Sequence, residues 1–190
     1  MAREEIIAAP LELYLAPAGE SFPGIDESVD GEFELVGSSG DENYTDDGVT
    51  VGLPQSIEEF IPAGSAMAVK AFRTEEAVEI TVVVADVRAE ILQYALNGNS
   101  IDETTGQREV SLLRGLNVTE YALLARGASP YEDDSATNVG QFQVPRCYQS
   151  AEPEPVWNKG EPAGVELTFR SLKPDNPDDF KVVYSDDEIT

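Results

Sequence analysis

A chain of 190 residues that is 41% hydrophobic can bury a real core, which argues against wholesale disorder. Twelve Lys+Arg against 37 Asp+Glu give a formal charge of −25 and a pI near 4.1, a surface that repels nucleic-acid backbones and anionic membranes alike. Histidine is missing altogether and Cys147 is the single cysteine, so Ser-His-Asp and Cys-His catalysis, the commonest zinc ligand and any intrachain disulfide are excluded.

Leu11 to Pro17 alternates cleanly, with Leu11, Leu13 and Leu15 on one face, and predicts a half-buried strand. AGESFPGIDESVDG reads as a loop, and GEFELVG alternates again through Phe33 and Leu35. Ser38 to Gly48, SSGDENYTDDG, combines turn residues and acids with one aromatic, and reads as an exposed, mobile loop. Val49 to Ile61 predicts a strand pair or a bent strand with Pro54 at the irregularity, and AMAVKAFRT is mostly extended.

The clearest pattern is RTEEAVEITVVVADVRAEILQYALNG, Arg73 to Gly98. Val78, Ile80, Val82 and Val84 share one face of a β-branched run, a strong strand signal. Asp86 then occupies the expected N-cap of a helix of about three turns, whose apolar face is Val87, Ile91, Leu92, Tyr94, Ala95 and Leu96. Gly98 is the expected stop. Beyond a turn-rich connector, REVSLLRG predicts a short strand, as do VTEYALLARGASP and the start of QFQVPRCYQSAEPEP. AGVELTFRSLKP alternates through Val165, Leu167 and Phe169, and the tail holds one more apolar run, KVVY. The tally is about seven to nine strands and one helix. That predicts a mainly β fold, a β-sandwich or partial barrel with one flanking helix, long inter-strand loops and extended termini.

Chemical motifs are sparse. The paired carboxylates Glu58/Glu59, Asp46/Asp47, Asp133/Asp134 and Asp186/Asp187 could in principle run glycoside hydrolysis. In so acidic a chain such pairs arise by chance, so no catalytic residue is expected. DENYTDDG has oxygens but not the frame of a calcium loop, and neither phosphate-cradling motif is present, so no metal or cofactor is expected. The longest apolar run, Ile80 to Ala85, is too short to span a bilayer. The N-terminal MAREEIIAAPLEL lacks a signal pattern, and the expectation is synthesis in a cytoplasm.

The order of elements carries a resemblance. DGVTVGLPQSIEEFI is followed by AVKAFRTEEAVEITVVVADVRAEILQYALNG, then by REVSLLRGLNVTEYALLARG and a late GVELTFRSL. Over roughly Phe33 to Lys173 this resembles the major tail tube protein of long, flexible-tailed bacteriophages. The resemblance implies one tail-tube domain over 1–190, with a core of about 10–174, a C-terminal extension over 175–190 and no appended immunoglobulin-like domain. It also implies a non-enzymatic, structural role in the virion: six copies to a ring, with rings stacked into a hollow tube around a tape-measure protein. The tail terminator and distal tail proteins would be further partners, and DNA would pass through the lumen without specific binding.

A conduit for DNA gains from negative charge, because Lys and Arg in a lumen would pair with phosphates and stall passage. A ring of six copies would carry about −150, six times −25, before screening. By family analogy, Val49 to Arg73 supplies lumen and barrel surface. Glu58, Glu59, Asp46 and Asp47 are lumen or inter-subunit candidates. The inter-ring candidates are Asp41, Glu42, Asn43 and Tyr44, with Tyr44 as anchor. IIAAPLEL and KVVY are candidate partner-binding arms. The alternative is a β-sandwich binding module of the virion-surface or adhesin type.

Overall fold

The computed structural model describes residues 11–128, 138–155, 157, 159, 160 and 162–184. Among them are twelve strands, a single α-helix and two short 3-10 turns, at Gly40–Asn43 and Pro177–Asp179. The fold is mainly β, antiparallel throughout, with one flanking helix. Its main sheet runs in the order β2 (Glu34–Leu35), β1 (Glu12–Pro17), β9 (Tyr121–Ala128), β10 (Asn138–Gln149), β11 (Val165–Ser171), β6 (Glu79–Val84) and β3 (Tyr44–Gly52). β12 (Lys181–Tyr184) also pairs with β10. Two hairpins stand apart from this sheet: β4 (Gln55–Phe60) with β5 (Lys70–Glu76), and β7 (Ile101–Thr104) with β8 (Gln107–Val110).

Alternation in sequence becomes alternation in burial, because successive side chains on a strand point to opposite faces. On β6, Ile80, Val82 and Val84 are buried while Glu79, Thr81 and Val83 are half-buried. On β11, Val165, Leu167 and Phe169 turn inward opposite them, in the register Val165↔Val84, Leu167↔Val82 and Phe169↔Ile80. Leu13 and Leu15 of β1 and Leu123 and Ala125 of β9 complete the same core. Each of the Val, Leu, Ile and Phe side chains contributes about 1.5–3 kcal/mol on burial.

The outer face of β1 and β9 is covered as well. Ala16, Ala122 and Leu124 pack there with Phe33 from the connection after β1, supported by Tyr14, Phe22 and Val29. The guanidinium of Arg126 pins that connection, donating to the Gly24 carbonyl at 2.9 Å, the Glu27 carbonyl at 2.7 Å and Gln141 Oε1 at 2.8 Å. The Gln141 amide in turn donates to the Pro23 carbonyl at 3.0 Å. Both side chains are buried, and burial pulls the Arg126 pKa below its ordinary value.

The sheet curls until its two ends meet. Tyr44, at the start of β3, accepts a hydrogen bond from the Leu13 amide at 3.2 Å and donates to the Val36 carbonyl at 2.8 Å. The Val36 amide already donates to the Leu13 carbonyl at 2.8 Å. The phenol thus bridges the seam of the partial barrel, and burial pushes its pKa up to about 12.

The helix corrects the sequence reading at both ends. It spans Ala89–Ala95, seven residues and about two turns. Asp86 is no N-cap, because its carboxylate accepts from Ser38 Oγ at 2.8 Å and Arg88 Nε at 2.7 Å. At the C-terminus the left-handed residue after the cap is Asn97, with φ of 71°, and Gly98 follows it with its amide donating to the Gln93 carbonyl at 2.8 Å. Ile91, Tyr94 and Ala95 turn into the core. Tyr94 stacks edge-on against Tyr121, and its hydroxyl donates to Glu34 at 2.9 Å.

Three further expectations change. Ser111 to Gly115, read as part of a strand, lies outside β8 and is irregular. Ser38 to Gly48 is a 3-10 turn running directly into β3, held by Asn43 Oδ1, which accepts from the Ser39 amide at 2.6 Å. KVVY is β12, paired along β10 in the register Phe142↔Val182, and so is a strand of the sheet. Of IIAAPLEL, the first five residues lie outside the described chain and the rest leads into β1. Asp133/Asp134 and Asp186/Asp187 also lie outside the described residues.

Candidate functional site

The β4–β5 hairpin interrupts the chain between the end of β3 and the start of β6, and every residue of both strands is exposed. Pro54 and Ala77 close its base through the Ala77 amide and Pro54 carbonyl at 3.1 Å, and Phe60 and Val69 close the far end at 3.0 Å. The register places Glu58 opposite Phe72, Glu59 opposite Ala71 and Phe60 opposite Lys70. One face therefore carries Glu58, Phe60, Lys70 and Phe72, and the other carries Ile57, Glu59, Ala71 and Arg73. Lys70 Nζ lies 5.0 Å from the Phe72 ring centre, a cation–π contact across one strand. Arg73 is paired with Glu76 at 2.9 Å.

This arrangement exposes apolar groups on both faces at once. Leu53, Ile57, Phe60, Ile61, Met67 and Val69 are all more than half exposed. A two-stranded ribbon without a covering layer is marginal in water, so its surface is suited to being covered. Glu58 and Glu59 make no ion pair among the described residues.

The other predicted site residues fall on separate elements. Asp46 and Asp47 lie on β3, exposed, where the register with β6 slips between Tyr44↔Val84 and Val49↔Val82. Gly48 turns the chain there with φ of 61°, a conformation that favours glycine. Charged residues on such a bulge guard an open strand edge against unwanted pairing. Asp41, Glu42 and Asn43 form the 3-10 turn, with Glu42 exposed. Asn43 and Tyr44 are engaged within their own chain, which leaves the acids of this segment as its outward surface.

Sequence reasoning missed a second apolar surface. The segment Ser111 to Val118, SLLRGLNV, is exposed along its whole length, with Leu112 at 78%, Leu113 at 82% and Leu116 at 102%. Two asparagines beyond the helix shape it. Asn99 Nδ2 donates to the carbonyls of Ser111 at 2.6 Å and Leu113 at 2.9 Å. Asn97 Nδ2 donates to those of Arg114 at 2.7 Å and Asn117 at 2.6 Å. Thr119 ties the exit, its amide donating to Asn97 Oδ1 at 2.7 Å. The signal in the sequence is N-G-N directly after a helix, a pattern that also fits an ordinary turn.

A cleft of about 980 Å³ opens between residues 18–25 and β10, with Gln143, Arg146, Asp175 and Lys181 among its lining. Arg146 is committed to Glu120 at 2.7 Å and Asp175 at 3.4 Å. Among the described residues no three His, Cys, Asp or Glu side chains group as metal ligands. Cys147 is buried, its thiol donates to the Tyr121 carbonyl at 3.3 Å, and burial pushes its pKa up. Among the described residues no helix is long and apolar enough to cross a membrane.

Neither a scan against protein-family models nor a search of curated proteins finds a match to the chain.

Proposed function

We propose that the chain is a structural subunit that assembles with copies of itself into hexameric rings and a hollow tube, the tail tube of a long-tailed bacteriophage. The observation that carries the reading is the β4–β5 hairpin, a fully exposed ribbon with apolar residues on both faces. In a monomer those side chains forgo burial, whereas in a ring each hairpin is covered by neighbouring copies and its strand edges are paired. Two separate apolar patches on one chain also favour head-to-tail contacts, which close into rings or continue as filaments.

The net charge of −25 suits a channel through which DNA passes without being held. Glu58, Glu59, Asp46 and Asp47 are proposed to face the lumen or a subunit seam, and Asp41 and Glu42 the adjoining ring. A tape-measure protein would template the length, and terminator and distal tail proteins would cap the ends. Synthesis in a host cytoplasm and residence in the virion tail complete the reading.

Electron microscopy of the concentrated protein, with sedimentation velocity alongside, tests it. Six-fold rings or hollow tubes are expected. A strict monomer at every concentration, with a nucleating tail fraction present, would overturn it. A monomer that instead binds glycans would point to the binding-module alternative.

A further inference from the structure

The Ser111–Val118 loop spends four asparagine hydrogen bonds on holding a shape that buries none of its leucines. Flexible surface loops need no such clamps. A loop ordered in advance loses less entropy on association, which is the physical use of fixing exposed leucines in place. At its centre is Arg114, which has no ion pair among the described residues, and residues 110–119 contain no acid. Leucines flanking an unpaired cation require a counterpart in which apolar groups flank an unpaired anion. The hairpin supplies one: on a single face, Phe60 and Phe72 flank Glu58.

The topology sets where the two surfaces lie. Glu79 at the start of β6 pairs with Arg170 at the end of β11, Ser171 pairs with Cys147, and Cys147 pairs with Tyr121 at the start of β9. The hairpin leads into β6 and the loop leads into β9, so both leave the same rim of the sheet. Two strands, β11 and β10, separate them, a lateral offset of about 14 Å at ~4.8 Å per strand. A rotation between neighbouring copies, without inverting either, can therefore carry the hairpin of one onto the loop of the next.

Resting on the self-assembly reading, we infer that the leucine loop is the receiving surface for the β4–β5 hairpin of an adjacent copy. Leu112, Leu113 and Leu116 cover Phe60 and Phe72 on one face of the hairpin, and Arg114 pairs with Glu58 beside them. The contact is heterologous, loop to hairpin, and so propagates around a ring.

The test is site-directed disulfide cross-linking of the full chain. Native Cys147 is buried, which leaves introduced cysteines as the reactive thiols among the described residues. An equimolar mixture of the single variants Leu116→Cys and Phe60→Cys is expected to give dimers under mild oxidation. A chain carrying both is expected to give a ladder of higher multimers. Charge reversal supplies the second arm: Arg114→Glu should raise the half-assembly concentration about tenfold, and combining it with Glu58→Arg should restore it. Rings or tubes that form without loop-to-hairpin cross-links, and that are indifferent to Arg114→Glu, overturn this contact and leave the tube reading standing. A wild-type chain that never assembles overturns both.

Discussion

The hydroxyl of Tyr44 accepts the Leu13 amide at 3.2 Å, joining the last strand of the sheet path to the second. The same oxygen donates to the Val36 carbonyl, so one phenol satisfies a donor and an acceptor at the seam of the partial barrel. Tyr44→Phe keeps the ring and removes the bridge. It should cost about 1–3 kcal/mol, because the backbone groups of two buried residues, Leu13 and Val36, lose their partner. Urea unfolding of the two proteins at one pH measures the difference, and equal midpoints would show the seam to be held by packing alone.

Alkaline pH should open the fold through its tyrosines. Burial pushes the Tyr44 and Tyr121 hydroxyls from 10.0 up to about 12, and raises Tyr14 and Tyr94 further. In the unfolded chain these groups ionise near pH 10, so between about pH 10 and 12 the unfolded state has released protons that the folded state keeps. The stabilisation from the neutral phenols is complete below pH 10 and is lost as pH rises through the folded pKa. Tyrosinate absorbance should rise in one cooperative step together with loss of circular dichroism. Independent, gradual titration of the four phenols in a chain that stays folded would contradict this.

Arg126 and Gln141 stand opposite one another on β9 and β10 and together hold the 18–31 connection by its carbonyls. Arg126→Met leaves the stem volume and removes the donors. The expected cost is about 2–3 kcal/mol, in the range of hydrogen bonds to charged groups. Hydrogen exchange should quicken across Phe22 to Val29 before it does so in β6 or β11. Uniform quickening would mean that Arg126 supports the whole sheet.

Asn97 serves the helix and the loop by different atoms. Its backbone takes the left-handed conformation after the helix, while its side chain clamps Arg114, Asn117 and Thr119. Asn97→Gly should preserve the helix end and release the loop, seen as faster proteolysis near Arg114 with little change in melting temperature. Gly98→Ala should be worse, costing more than about 1 kcal/mol. Its φ is +71° and an added Cβ would collide with the Tyr121 hydroxyl. A melting temperature unchanged by Gly98→Ala would show that Tyr121 can give way.

Self-association should strengthen with added salt at first. Copies carrying −25 each repel, and screening shortens that repulsion to about 8 Å at physiological ionic strength. Replacing Phe60 and Phe72 with Ser should leave the monomer folded, since neither belongs to the core, and should abolish assembly. Sedimentation across a salt series, with and without those changes, separates screening from apolar contact.

Elements whose neighbours are local can be read directly from the residue pattern. The alternating faces of β1, β6 and β11, and the apolar face of the helix at Ile91, Tyr94 and Ala95, follow from periodicity, because side-chain direction is fixed by backbone geometry. Extended chain on either side of Pro54 was legible in Val49 to Ile61 and in AMAVKAFRT, whereas the pairing of Gln55–Phe60 with Lys70–Glu76 was not, because these exposed strands carry no clean alternation. Tertiary structure decided what depends on distant partners. Asp86 fails as a cap because Ser38 and Arg88 occupy its carboxylate, and Tyr44 turns inward because the Leu13 and Val36 backbone groups need a partner. SLLRG is kept out of a strand by two asparagines that take up its carbonyls, and KVVY is placed in one by an open edge along β10. A hydrogen-bond donor is indifferent to sequence separation, so such contacts leave no periodic trace in the chain.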